Sequence, residues 1–151
     1  MFGYILLFLG TFNPGLDCQI DQIRSAFFTL ETNEEALTSF IAQCEDSNCK
    51  EATFYHAVAV MRMAEYTYWP NQKYKYFTQG RDQLESLVKQ NPQNVELRFL
   101  RYLVQTEVPD FLGYNENRTE DLQFVEDHIN QSNYPDELKE NISITLDYLN
   151  K

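Results

Sequence analysis

Residues 51–68, EATFYHAVAVMRMAEYTY, are apolar on nearly every face of a helix, with His56, Arg62 and Glu65 as the main interruptions. A helix on the surface of a globule needs only one apolar stripe, whereas one that is apolar all round has to be enclosed by others. The segment therefore predicts a central helix, and the rest of the chain has to supply the helices that cover it.

Those helices are legible on both sides. Ile20, Ile23, Phe27 and Leu30 recur at helical spacing, and Leu37, Phe40, Ile41 and Cys44 repeat the pattern one element later, which predicts two antiparallel helices. TNEE opens the second as a capping box, with Thr32 accepting from the backbone and Glu35 reaching back to it. Beyond the central helix, WPNQK predicts a turn, and Phe77, Gly80, Leu84, Leu87 and Val88 mark the buried face of a helix reaching Gln90. Asn91 and Pro92 read as cap and first residue of a helix over 92–107, with Val95, Phe99, Leu100 and Leu103 facing inward. The stretch VPDFLGYN, residues 108–115, then breaks the pattern with a proline and a glycine. Thr119, followed by Glu120 and Asp121, opens a helix whose acids complement the positive end of the helix dipole. Its stripe is Leu122, Val125 and Ile129, and a last helix after Pro135 buries Leu138, Ile142, Leu146 and Leu149. No segment alternates as a strand does, so the expected class is all-α, about seven helices in antiparallel hairpins.

A chain of 151 residues suits one domain with a real core. The expected division is a signal peptide over 1–18 and a single helical domain over 19–151. The N-terminal segment has an apolar run from Tyr4 to Leu9, then Pro14 and Gly15, with no charge before Asp17; it is too short to span a bilayer and resembles a removable export signal. Export to the periplasm is the expectation, and a cytoplasmic location is the alternative if the segment is a buried arm. A net charge of −11, from 23 acids and 12 bases, sets nucleic acid and anionic lipid aside as partners. Basic peptides, cations and neutral ligands stay open. Cys44 and Cys49 bracket the polar turn EDSN and are the candidate disulfide pair of an exported chain, with two buried thiols as the alternative.

One spacing is more specific than amphipathicity. Gly80, Leu84, Leu87 and Pro92 stand at the intervals of the second helix of a tetratricopeptide repeat. A glycine inside a helix costs about 1 kcal/mol relative to alanine and is best explained by a neighbouring helix crossing close to it. The segment NPQNVELRFLRYLVQTEVPDFLGYN, with YKYFTQG upstream, resembles a group of short exported bacterial proteins with tetratricopeptide-like helices and no assigned activity. The resemblance implies an array of helical hairpins and an exported location, and it carries no catalytic or ligand residue across.

Candidate binding residues come from three places. Asn94, Arg98, Arg101 and Gln105 line one face of a helix, and two arginines there suit a carboxylate or phosphate, unless acids of the same or a neighbouring helix take them. Six aromatics crowd EYTYWPNQKYKYF, of which Trp69, at the turn, is the one expected to be accessible. In VPDFLGYN, Phe111 with Leu112 reads as an apolar plug, leaving Tyr114 as the residue free to recognise a partner. Asp110, Asn115, Asn117 and Glu120 do not follow a calcium-loop spacing, and no phosphate loop, zinc-protease helix or nucleophile motif is present. His56 reads as a hydrogen-bonded core histidine. The expectation is a non-enzymatic, monomeric scaffold of the bacterial envelope that binds a protein or peptide without metal or cofactor. The alternative is an envelope enzyme or enzyme inhibitor with its site near Arg98, Arg101 and residues 108–115.

Overall fold

The computed structural model describes residues 18–151, so the expected signal segment lies outside the described residues except for Cys18. Seven α-helices follow in order: α1 Ile20–Phe28, α2 Glu34–Asp46, α3 Ala52–Arg62, α4 Pro70–Gln90, α5 Val95–Glu107, α6 Arg118–His128 and α7 Asp136–Leu149. Short 3-10 turns occupy Met63–Tyr66, Asp110–Leu112 and Ile129–Gln131. Among the described residues there is no strand, and no helix is long and apolar enough to cross a membrane.

The all-round apolar segment is the centre, as its composition requires. Tyr55, Ala57, Val58 and Ala59 of α3 are buried, and α3 packs against α1, α2, α4 and α5. Its closest neighbour is α4, and the reason is Gly80. A Cβ built there would press on the Ala57 carbonyl oxygen and lie 2.6 Å from Met61 Cγ and 2.8 Å from Met61 N. The residue is therefore a contact point between two helix backbones, not a weak spot in α4.

Local chemistry moves several helix starts. WPNQK is no turn: α4 begins at Pro70, which sits in the first turn, where a missing N–H costs nothing. Asn33, and not Thr32, caps α2, its side chain accepting from the Ala36 amide at 2.8 Å, because only residue 33 stands three positions before that orphan donor. α5 starts at Val95 with Asn94 as its cap, accepting from the Leu97 amide at 2.9 Å. Pro92 precedes the helix, so Asn94 serves the backbone and is not part of a binding face.

The expected pairing of Cys44 with Cys49 is wrong. Cys49 is bonded to Cys18, 31 residues away, and Cys44 is a buried free thiol. α2 runs on to Asp46, so Cys44 is fixed on the helix face that carries Leu37 and Phe40 into the core. Cys49, in the loop beyond, meets the residue that leads into α1. Cys18 thus belongs with the folded domain, and a bridge closing a loop of that length contributes about 3–4 kcal/mol on the chain-entropy view. Burial, with Glu45 adding to it, pushes the Cys44 thiol up to about 12. Since the thiolate is the nucleophile, iodoacetamide at about pH 8 should label no cysteine in the native protein, one in denaturant, and all three only after reduction. Two reactive thiols before reduction would contradict the bridge.

Candidate functional site

The arginine pair is where the sequence points first. Arg98 and Arg101 do share a face of α5, but that face is turned inward onto Asp121 of α6, whose carboxylate is fully buried. Arg98 Nε donates to Asp121 Oδ1, and its Nη2 donates to Glu120 Oε1 at 2.7 Å. Arg101 grips the same carboxylate with Nε at 2.6 Å and Nη2 at 2.9 Å, and reaches Glu85 of α4 with Nη1 at 3.1 Å. The Phe124 ring covers the Arg98 guanidinium at 4.7 Å. Burial works against the charge of Arg101, but its hydrogen bonds to and attraction by Asp121 and Glu85 together hold it more firmly protonated than usual. The pair is a staple joining α4, α5 and α6, with Arg98 Nη1 donating to the Pro92 carbonyl at 3.3 Å and the other bonded donors engaged by protein carboxylates, and the alternative in which neighbouring acids take both arginines is the one realised.

A second staple went unread in the sequence. Glu96 of α5 is fully buried, held by Arg24 of α1 through Nε at 2.8 Å and Nη2 at 2.7 Å, and by the Tyr55 hydroxyl of α3. Burial, together with the neighbouring Glu96, raises the Tyr55 phenol well above its ordinary range, so it stays a donor. Gln105 joins the α5 set through its side chain, accepting from the Asn117 amide at 3.2 Å. No buried side-chain nitrogen or oxygen among the described residues lacks a partner. An acid in a helix usually signals solvent, so nothing in the local pattern distinguished Glu96 or Asp121 from surface carboxylates.

The loop after α5 reverses its expected roles. Tyr114, expected to be free, is 9% exposed; its hydroxyl donates to Glu85 Oε1 at 2.5 Å and its ring meets Phe77 edge-on at 6.0 Å. Phe111, expected to be the plug, is 87% exposed. Gly113 is the cause: its φ of 63° is left-handed, and that reversal turns Tyr114 inward while Phe111 and Leu112 stay outside. His56 is hydrogen-bonded as expected, to Gln83 at 3.2 Å and Glu45 at 3.3 Å, but at the edge of the core.

What the loop frames is a groove of about 820 Å³. Its floor is Val58, Met61, Phe77, Leu103 and Val104, from α3, α4 and α5, and its outer wall is Pro109, Phe111 and Leu112. Tyr74 lines it from the first turns of α4, and Trp69, 68% exposed as the sequence suggested, immediately precedes Pro70 in the same wall. The volume lies within the range of ligand sites, which combine apolar walls with a few placed polar groups. Here those groups are the charged ends of Arg62, Glu65, Lys73 and Glu107. The arrangement offers apolar burial with charge at its margin. Among the described residues no group of three or more His, Cys, Asp or Glu side chains could hold a metal ion. No family model matches the chain, and no curated protein or solved structure matches it either.

Proposed function

We propose that this chain is a helical-hairpin scaffold of the bacterial envelope that binds an apolar segment of a protein or peptide in the groove between α3, α4, α5 and the 108–115 loop. The observation that carries this reading is the groove itself, an apolar trough beside which Tyr74, Phe111 and Trp69 stand exposed. Large rings in contact with water cost free energy unless a partner covers them, and a cluster of them marks a docking surface more often than a chance exposure. Support for hairpin geometry comes from α3 and α4, where His56 meets Gln83 and Met61 meets Gly80, so the two helices run past one another in opposite senses. The Cys18–Cys49 bridge supports an oxidising compartment and hence export. The enzyme alternative loses its anchor, because Arg98 and Arg101 are committed to Asp121, Glu85 and Glu120.

The test is a titration of the protein with a short, end-blocked peptide of leucine, phenylalanine and serine bearing a fluorescent label. Saturable binding is expected, and Phe111→Asp or Tyr74→Asp should weaken it about ten-fold, equivalent to ~1.4 kcal/mol, with the melting temperature unchanged because both side chains are exposed. Absence of saturation, or equal binding by both variants, would refute the groove as the site.

A further inference from the structure

Of the four charged side chains that line the groove, Arg62 is the one partly withdrawn from water. The chain has six arginines. Arg24, Arg98 and Arg101 are clamped on buried carboxylates, and Arg81 pairs with Asp82 at 2.8 Å. Arg118 opens α6, outside the groove. Arg62, at the C-terminal end of α3, is half-buried in the groove wall, and no carboxylate among the described residues lies within ion-pair distance of it. In a chain with 23 acids for 12 bases, a cation that is partly withdrawn from water and has no acid among the described residues within ion-pair reach is a place for a ligand's carboxylate.

We infer that the segment bound in the groove is an acidic peptide, its apolar side chains filling the trough and a carboxylate next to them gripped by Arg62. This rests on the groove being the binding site as proposed above. A guanidinium presents a planar fork that matches a carboxylate with two parallel N–H donors, and partial burial strengthens that contact relative to the same pair in water. The other three charges favour a peptide over a fatty acid. Glu65, Lys73 and Glu107 are exposed at the margin of the same groove. A peptide offers amide donors to the two carboxylates and carbonyl acceptors to the lysine, whereas an acyl chain would leave Glu65 and Glu107 facing hydrocarbon.

The experiment compares two end-blocked peptides of leucine, phenylalanine and serine that differ only in carrying one glutamate or one glutamine. The full chain should bind the glutamate peptide about ten-fold more tightly, as expected for one charge-assisted fork. Arg62→Gln should abolish that preference through loss of the glutamate peptide's extra affinity, Arg62→Lys should keep part of it, and Lys89→Gln, exposed and outside the groove, should keep all of it. Thermal melts of each variant establish that the fold is intact. Equal affinity of the two peptides for the unaltered protein, or a preference that survives Arg62→Gln, would overturn the assignment of Arg62. Decanoate binding that depends on Arg62, with the two peptides bound alike, would overturn the peptide in favour of a fatty acid. If neither peptide binds, the groove reading fails and this inference fails with it.

Discussion

Asp121→Ala should lower stability by about 3–5 kcal/mol, the cost of removing one partner from a buried ion pair. The mutation leaves two guanidiniums, Arg98 and Arg101, inside the protein around a carboxylate that no longer exists. Glu120 and Glu85 would still hold one donor of each, at 2.7 and 3.1 Å, but both of those acids reach solvent and each pairs with only one of the two arginines. Denaturant unfolding, monitored by circular dichroism, measures the loss. The triple variant Asp121→Leu, Arg98→Met, Arg101→Met should recover most of it, because replacing a whole buried network with apolar groups of similar volume is often neutral. A loss below about 1 kcal/mol for Asp121→Ala, the level of an exposed ion pair, would show that the staple is a surface feature.

Gly80→Leu comes next in size. Even the first carbon of the new side chain would meet the Ala57 carbonyl and the Met61 backbone nitrogen, and backbone atoms in a helix cannot move aside as a flexible side chain can. Gly80→Ala should therefore destabilise by about 2 kcal/mol despite the ~1 kcal/mol that alanine gains in helix propensity. Gly80→Leu should cost more than about 3 kcal/mol, enough to lower the melting temperature by roughly 10 °C. A melting temperature unchanged or raised by either substitution would place residue 80 on an open surface and remove the close crossing of α3 and α4.

The parts of this fold that depend on periodicity were readable in the sequence. The enclosure of α3, the inward stripes of α1, α2 and α7, and the contact at Gly80 all follow from where apolar and small residues recur. What depends on single backbone geometry was not. The sense of the VPDFLGYN loop turns on the left-handed Gly113, and nothing in its composition says whether Tyr114 or Phe111 ends inside. The buried acids Glu96 and Asp121 were illegible for a different reason. A carboxylate on an amphipathic helix looks the same whether it faces water or an arginine two helices away. The cysteine pairing is not legible because Cys49 has a nearer candidate in Cys44 across its own loop, while its true partner Cys18 adjoins the apolar N-terminal segment. Among the site residues, Trp69 is exposed as expected, though the turn on which that expectation rests is the start of α4, which Trp69 precedes as its cap residue. Arg62 is visible only as an interruption of an apolar helix, and the absence of an acid within ion-pair reach of it among the described residues is a fact of tertiary structure.

We propose that recognition belongs to the apolar groove and not to the arginine pair. Amide chemical-shift mapping of the isotope-labelled chain, titrated with the glutamate peptide, tests it directly. Perturbations should concentrate at Val58, Met61, Arg62, Leu103, Val104 and Phe111, which line the groove, while Arg98, Arg101 and Asp121 stay unmoved. Perturbations centred on Arg98, Arg101 and Asp121, or none at all, would contradict it.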